Sequence, residues 1–216
     1  EIKNDFIDNM THELKTPIAS ISGYIETLLS GALEDKKVNR SFLKRALKNI
    51  NRLEVLVTDL VDISRIETGE LTMNIIQVNI IPIIEELVKD ANEGKDKKDL
   101  KIYISNNTKN NINVDADPDR IHQVFDNLLS NAIRYTDDGE IEIAINSEAG
   151  KVNFSIRDTG IGMDDESIER IFERFYRTVT ARSRVKSGTG LGLSIVKHII
   201  EAHGSNIEVD SKIGEG

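Results

Sequence analysis

One run of the sequence interleaves polar and apolar residues at helical spacing: Asn127-Leu128-Leu129-Ser130-Asn131-Ala132-Ile133-Arg134. Asn127, Asn131 and Arg134 are spaced at i, i+4 and i+7, so they share one face of a predicted helix over 118–134. The apolar residues between them would face a core. Two asparagines beside a core are costly to bury without partners, and a Mg²⁺ ion bridged to phosphates would satisfy them. A helix cap or an ordinary polar face is the alternative.

Around this helix the chain alternates between short β-branched runs and helical patterns. Apolar residues at every second position predict strands, and apolar residues at steps of three and four predict helices. The predicted strands are 75–78, 101–104, 140–145, 152–156 and 207–209. The predicted helices are 81–91, 118–134, 165–172 and 191–203. This mixture predicts an α+β or α/β sandwich over the last two thirds of the chain.

The first seventy residues have a helical pattern and no strand pattern. One apolar stripe comprises Phe6, Met10, Leu14, Ile18, Ile21, Ile25 and Leu28. A second stripe comprises Leu43, Ala46, Ile50, Leu53, Val57 and Leu60. The alternating steps of three and four in the second stripe predict one seam between helices packed side by side. Because two helices alone cannot enclose a core, we expect the hairpin to dimerise into a four-helix bundle.

The composition excludes several classes of protein. The 216 residues include 37 acidic and 28 basic side chains, a formal net charge of -9, and 38% are hydrophobic. The absence of cysteine excludes disulfides, iron–sulfur ligation and thiol nucleophiles. The acidic balance and the 5% of aromatic residues argue against binding to nucleic acid. No apolar run approaches the length of about 20 residues that a membrane span needs, and no signal peptide is visible.

One segment opposes this acidic balance. The segment 174–200, between Glu173 and Glu201, contains no acidic residue. The basic residues of this segment are Arg174, Arg177, Arg182, Arg184, Lys186 and Lys197. A local excess of positive charge in an acidic domain predicts an anionic ligand, and a solvated mobile loop is the alternative.

Two glycine-rich runs flank this basic segment. Asp158-Thr159-Gly160-Ile161-Gly162-Met163 follows a predicted strand, where glycines allow a flat ligand to approach the backbone and a carboxylate can accept from an exocyclic amine. Gly188-Thr189-Gly190-Leu191-Gly192-Leu193 opens a predicted helix, whose first amides can bind phosphate. Neither run has the spacing of a Walker loop or of a dinucleotide-binding fingerprint. Each is weak evidence alone, because turns explain most glycines.

His12 lies two residues from both Met10 and Leu14, so on a helix it points away from the first stripe toward solvent. Glu13 follows it, and Pro17 is expected to bend the helix. A single exposed histidine is most often an ordinary surface residue, and the zinc-protease pattern His-Glu-x-x-His lacks its second histidine here. A carboxylate beside an exposed imidazole can accept the proton of one ring nitrogen, which makes the other a better nucleophile.

These motifs together resemble the catalytic core of the sensor histidine kinases of two-component signalling, over residues 1–216. The matching segments are a phosphoacceptor box (6–18, with Thr11-His12-Glu13-Leu14-Lys15-Thr16-Pro17), an N box (127–136), a first glycine box (158–162), an F box (171–177) and a second glycine box (188–193). The resemblance implies a dimerising hairpin that carries the phosphoacceptor histidine. It also implies an α/β sandwich ATP-binding domain of the type shared with Hsp90, gyrase and MutL.

The resemblance also implies ATP and Mg²⁺ as ligands. Asp158 would bind the adenine amine, Asn131 would ligate Mg²⁺, and Asn127 would lie close to the phosphates. Arg134 and Tyr135 would approach the triphosphate. The other residues that the resemblance assigns to the nucleotide are Gly160, Gly162, Lys186, Gly188, Thr189, Gly190, Leu191 and Gly192.

The catalytic roles follow from the same resemblance. His12 would attack the γ-phosphate with Glu13 as the base, and Arg177 would stabilise the transferring phosphoryl group. The phosphoryl group would then pass to an aspartate in the receiver domain of a response regulator. Thr16 occupies the position that orients water in family members that also dephosphorylate their regulator. Since His12 and the nucleotide lie on different domains, the ATP-binding domain would swing about the linker.

We therefore expect a dimerisation and histidine-phosphotransfer domain over 1–68, a linker over 69–73 and an ATP-binding domain over 74–216. The chain starts at Glu1 and stops at Gly216, so we expect a cytoplasmic fragment of a membrane-anchored sensor. We expect the last strand of the ATP-binding domain to be missing. The fragment itself is expected to make no membrane contact. Ser20 and Tyr24, with the C-terminal half of the second helix, are the predicted regulator-docking surface.

Two other functions fit parts of the pattern. A phosphatase-dominant or degenerate module would bind nucleotide and dock a regulator with little autophosphorylation. A clamp of the Hsp90 or MutL kind would use ATP to drive a conformational change, but it has no use for an exposed His12 followed by Glu13 and Pro17.

Overall fold

The computed structural model describes residues 2–94, 99–106, 111–148, 150–178 and 188–216. These residues form two compact units. The first comprises 2–70 and 188–191, and the second comprises the described residues of 71–178 and 192–216. Within the described ranges, no helix combines the length and the apolar character that crossing a membrane requires.

The first unit is built on an antiparallel helical hairpin. Its helices are α1 (Ile2–Thr27) and α2 (Asn39–Glu67). A π-helical turn over Leu28–Ala32 ends the first helix, and Gly31 has a φ of 121°, which favours glycine. The rings of Tyr24 and Phe42 stack with 5.9 Å between their centroids, near the end of α1 and the start of α2.

The second apolar stripe divides between two faces of α2. Ala46 is buried, and Leu53 and Leu60 are half-buried. Leu43, Ile50 and Val57 are exposed by 54%, 47% and 47%. The burial of these three residues in a helical seam therefore stays a prediction that depends on a second copy of the hairpin. Successive residues of the stripe are three and four positions apart, which at about 100° per residue places them on two neighbouring faces of the helix.

The second unit is a mixed α and β fold. Its elements are β1 (Ile76–Asn79), α3 (Ile80–Gly94), β2 (Asp99–Asn106), β3 (Asn113–Ala116), α4 (Pro118–Tyr135), β4 (Asp138–Glu148), β5 (Lys151–Asp158), α5 (Asp165–Arg170) and α6 (Gly192–Ala202). The sheet order is β2-β4-β5, with β2 parallel and β5 antiparallel to β4. β1 and β3 form a separate antiparallel pair.

The core of this unit lies between the sheet and the helices. Ile141, Ile143 and Ile145 alternate along β4 and are buried, as the period-two pattern predicts. They belong to one apolar cluster with residues of α3 and α4. Phe125 of α4 meets Phe154 of β5 edge to face, with 5.3 Å between the ring centroids. This packing fixes α4 against the sheet and leaves its polar face for a site.

The strand predicted over 207–209 was wrong, because these residues form no ladder with any described strand. Ile207 and Val209 are half-buried, whereas Glu208 and Asp210 are exposed. The side chains therefore alternate between half-buried and exposed, as they would in a strand, although no strand forms. Hydrogen bonds to a neighbouring strand are a separate requirement, which alternation alone cannot guarantee.

Candidate active site

His12 is exposed on α1, as its offset from the apolar stripe predicts. The helix continues through Pro17, which is buried. The Thr16 hydroxyl donates to the backbone oxygen of His12 (3.1 Å), and the Ser20 hydroxyl donates to that of Thr16 (2.9 Å). Such bonds from a side chain to the preceding turn hold these hydroxyls close to the helix.

Glu13 is half-buried and forms an ion pair across the hairpin. Its Oε2 atom lies 2.9 Å from Nη2 of Arg52 on α2, with side chains 32% and 23% exposed. A pair this close to solvent stabilises the fold by about 0–1 kcal/mol. Its larger effect is geometric, because it fixes the carboxylate that follows His12 and leaves Oε1 as a second acceptor.

The second glycine run belongs partly to the first unit. Thr189 donates from its hydroxyl to Oδ2 of Asp59 on α2 (2.9 Å) and accepts from the amide of Leu191 (3.2 Å). Asp59 is only 6% exposed. Burial raises the pKa of Asp59 to about 6; the hydroxyl of Thr189 opposes this rise and the charge of Asp62 adds to it. Gly188 and Gly190, with φ of 73° at Gly190, lie in the same segment.

Asp59→Asn is expected to stabilise the first unit at pH 7 by up to about 3 kcal/mol. The unfolded carboxyl titrates near 3.8 and the folded one near 6, so wild-type stability is lost as pH rises between these values. Asparagine removes that loss, and its advantage shrinks below pH 4. Denaturant unfolding at pH 4 and pH 7.5 measures the difference. Glu54→Gln, on the exposed face of α2, is the control, and equal stability of wild type and Asp59→Asn at pH 7.5 would contradict this account.

α4 presents the paired asparagines of the N box. Asn127, Asn131 and Arg134 are half-buried. Nη1 of Arg134 donates to Oδ1 of Asn131 (3.1 Å). An amide oxygen is a ligand type that Mg²⁺ accepts in proteins. A Cβ atom on Gly192 would lie 2.7 Å from Oδ1 of Asn127. The start of α6 therefore approaches the N box so closely that a side chain at position 192 would displace the amide of Asn127.

Asp158 ends β5 with one carboxylate oxygen fixed. Its Oδ1 atom accepts from the amide of Gly160 (2.9 Å) and from the hydroxyl of the buried Thr136 (3.4 Å). The other oxygen, Oδ2, is left as an acceptor of defined position. An exocyclic amine of a ligand is a suitable donor to such an oxygen.

The first glycine box needs glycine for steric reasons. A Cβ atom on Gly160 would lie 2.6 Å from both Oδ1 of Asp158 and the backbone oxygen of Tyr135. Gly162 has a φ of 62°, and a Cβ atom there would overlap the backbone carbonyl of Lys212. The amide of Ile161 donates to the oxygen of Tyr135 (3.3 Å), which ties this loop to the end of α4.

A cleft of about 440 Å³ opens over this loop. Its lining includes Tyr135, Asp137, Asp138, Thr159, Gly160, Ile161, Gly162, Met163, Asp164, Ser167, Thr178, Ile213 and Gly214. Of these residues, the sequence assigned Tyr135, Gly160 and Gly162 to the nucleotide. It assigned no role to most of the others, among them Asp137, Asp138, Asp164, Ser167, Ile213 and Gly214. The amide of Gly214 donates to the oxygen of Ile161 (2.8 Å), so the last residues of the chain hold the loop. In the sequence, the glycines at 214 and 216 could have indicated a close approach of the backbone here.

The F box follows α5. Arg177 is half-buried there. The hydroxyl of Tyr176 donates to that of Ser167 (3.2 Å), which attaches this segment to α5. Phe175 has a φ of 60°, a left-handed conformation that is uncommon for a bulky residue. Lys186, the predicted cation of the basic segment, lies outside the described residues.

Two family models match the chain. Residues 2–69 match the His Kinase A (phospho-acceptor) domain. Residues 116–216 match the Histidine kinase-, DNA gyrase B-, and HSP90-like ATPase. The first match contains His12, Glu13 and Thr16, and the second contains Asp158 with both glycine runs.

Individual relatives agree with these matches. Sensor histidine kinase WalK of Bacillus subtilis (strain 168) is 35% identical over 217 residues, which cover 99% of this chain and 35% of WalK. The chain thus spans about a third of the length of this curated relative. The structure of Acinetobacter baumannii histidine kinase AdeS is 27% identical with a TM-score of 0.75, covering 94% of this chain and 92% of that one. Histidine kinase ThkA, solved in complex with response regulator protein TrrA, is 26% identical with a TM-score of 0.72. The match covers 93% of this chain and 55% of that one.

Proposed function

This chain belongs to the sensor histidine kinase family, and we propose that it is an ATP-dependent kinase that phosphorylates its own His12. The observation that carries the proposal is the bond from the Gly160 amide to Asp158 (2.9 Å). It fixes one carboxylate oxygen beside a cleft and leaves the other for the adenine amine. The proposed boundaries are 1–68 for the phosphotransfer domain, 69–73 for the linker and 74–216 for the ATP-binding domain.

The phosphates would be bound by the polar face of α4 and by the second glycine box. Asn127 would contact the phosphates, and Arg134 and Tyr135 would approach the triphosphate. Asn131 would hold Mg²⁺, which when bound neutralises phosphate charge. Its Oδ1 atom now accepts from Arg134, so the guanidinium would have to release this oxygen. The remaining proposed contacts are Gly162, Lys186, Gly188, Thr189, Gly190, Leu191 and Gly192.

The proposed reaction is a phosphoryl transfer to nitrogen. One imidazole nitrogen of His12 attacks the γ-phosphorus, the bond from phosphorus to the β–γ bridging oxygen breaks, and ADP leaves. Glu13 accepts the proton of the other ring nitrogen through Oε1, while Arg52 holds Oε2 (2.9 Å). Arg177 stabilises the charge of the transferring group. Such transfers depend mainly on positioning and on charge neutralisation.

Two partners follow from this proposal. One is a second copy, which would cover the apolar face of α2 at Leu43, Ile50 and Val57 in a four-helix bundle. The other is the receiver domain of a response regulator, whose aspartate would take the phosphoryl group from His12. Thr16 would orient water in the reverse, phosphatase reaction. Since ATP and such regulators are cytoplasmic, the proposal puts this part of the protein in the cytoplasm.

Incubation with γ-labelled ATP and Mg²⁺ tests the proposal directly. We expect protein-bound label that is lost in acid and kept in base, because a phosphoramidate hydrolyses in acid whereas a phosphoester does not. Label that survives acid would contradict a histidine acceptor. ATP binding without any label would favour the phosphatase-dominant module, and ATP hydrolysis without label would favour the clamp.

A further inference from the structure

Asp117, before the first turn of α4, joins three segments of the second unit. It is buried, with 7% of its surface exposed. Its Oδ1 atom accepts from the amides of Asp119 (3.1 Å) and Arg120 (3.2 Å), which caps the helix. Its Oδ2 atom accepts from the amide of Asn74 (2.8 Å). Its own amide donates to Nε2 of His203 (3.0 Å), in the turn after α6.

The carboxylate form of Asp117 holds this junction. Burial opposes ionisation, but the amides of Asn74, Arg120 and Asp119 outweigh it and hold the pKa of this carboxyl below its ordinary value. The N-terminal end of the helix dipole favours the same negative charge. The two bonds that the carboxylate makes, to the first turn of α4 and to the Asn74 amide, are therefore present throughout the neutral pH range.

Both ring nitrogens of His203 are in use. Nε2 accepts from the amide of Asp117, so this nitrogen carries no proton. Nδ1 lies 2.7 Å from the backbone oxygen of Ile199, so it is the nitrogen that donates. The neutral ring thus bridges the end of α6 and the start of α4. The bond to Ile199 is local, whereas the bond to Asp117 crosses between the helices.

α4 and α6 pack against each other in antiparallel directions, and two of their contacts lie at opposite ends of the interface. At one end, Gly192 of α6 meets Asn127 of α4. At the other end, His203 meets Asp117. The two points are about 15 Å apart along each helix, since each residue adds about 1.5 Å. Two points fix the angle between the helices, and loosening the second would let α6 pivot about the N box.

We infer that Asp117 and His203 are positioning residues for the nucleotide site. The bond between them fixes the end of α6 against the start of α4. The bond from the Asn74 amide to Asp117 connects this pair of helices to the segment that leads from the linker into β1. The inference rests on the proposed function, because it concerns the same Asn127, Asn131 and Gly192. Neither Asp117 nor His203 touches the cleft, so their effect on nucleotide is indirect.

Two variants of His203 separate the local bond from the bond between helices. The amide oxygen of a glutamine reaches the position of Nε2 and can accept from Asp117. The amide of an asparagine, one methylene shorter, reaches only the position of Nδ1 and can keep the local bond to Ile199. We expect His203→Asn to weaken ATP binding about tenfold and His203→Gln to stay within about threefold of wild type. Calorimetric titration of the full chain with ATP and Mg²⁺ measures both.

Four outcomes of the titration decide the matter. The expected order, wild type close to His203→Gln and both tighter than His203→Asn, supports the inference. Wild-type affinity in both variants overturns it, and so does an equal loss in both, which would indicate a structural role alone. Absence of ATP binding by the wild type would overturn the proposed function, and this inference with it.

A second measurement needs no variant at all. If Asn74 is coupled to the nucleotide site, binding at that site must in turn stabilise the bond from Asn74 to Asp117. Hydrogen–deuterium exchange in peptides spanning Asn74 should therefore slow at least about threefold when ATP and Mg²⁺ saturate the wild-type chain. Unchanged exchange at Asn74 together with demonstrated ATP binding would overturn the coupling to the entering chain.

Discussion

Replacing His12 by glutamine should abolish labelling from γ-labelled ATP, with a loss of at least about a thousandfold. The glutamine amide nitrogen has a delocalised lone pair and cannot attack phosphorus, although the side chain has a similar size and polarity. Because His12 is exposed on α1, the substitution should leave the hairpin folded. Phosphorimaging of the protein after acid and base treatment measures the loss.

The chain offers a matched control for this experiment. His122 is also an exposed histidine on a helix, and His122→Gln makes the same chemical change on α4. We expect this variant to label as the wild type does. Both variants should bind ATP normally, because His12 has no proposed contact with adenine or phosphate before transfer. Full labelling of His12→Gln would exclude His12 as the acceptor.

Asp158→Asn should weaken ATP binding by about a hundredfold or more. Oδ1 is fixed by the amide of Gly160 and the hydroxyl of Thr136, so the amide NH₂ of asparagine would replace Oδ2. A donor would then face the adenine amine, which is also a donor. Leaving both without an acceptor costs about 1–3 kcal/mol each. Titration with ATP measures the change.

The same substitution predicts a shift in base preference. Guanine has a carbonyl oxygen where adenine has its amine, and the new NH₂ can donate to it. The ratio of GTP to ATP affinity should therefore rise in Asp158→Asn, whereas general damage to the site would weaken both nucleotides alike. Asp137, which lines the cleft, offers a control, because Asp137→Asn also removes one negative charge and should keep the wild-type preference. Gel filtration should show the same oligomer for both variants, and dissociation on Asp158→Asn would contradict separate roles for the two units.

The local pattern predicted most of the fold because its signals lie close together in sequence. Helical spacing identified both helices of the hairpin, and alternation at 141, 143 and 145 identified the central strand. The prediction of a strand at 207–209 was wrong because a strand needs a hydrogen-bonded partner, and the spacing of apolar residues does not show whether one is present. The two faces of the α2 stripe could not be told apart for a related reason. Spacing shows which residues of a helix are apolar, but not which apolar face a given neighbour covers.

The candidate site divides in the same way. Asp158 and Gly160 are two residues apart, so one local motif places both in the candidate site, and the structure brings them into contact. The ion pair of Glu13 with Arg52 spans 39 positions, and the bond from Thr189 to Asp59 spans 130. No local rule connects residues at such distances. The cleft residues Ile213 and Gly214 were missed because the end of the chain had been interpreted only as a truncated sheet.

The left-handed conformation of Phe175 has an energetic consequence for whatever binds near the F box. A non-glycine residue held there stores about 1–3 kcal/mol that the surrounding contacts must offset. If a bound state lets Phe175 return to an extended or right-handed conformation, that energy is released and favours the bound state. The corresponding gain in affinity is about 5- to 150-fold, without a single added contact. The backbone conformation of this one phenylalanine can thus shift the equilibrium between the unbound and bound states of the protein.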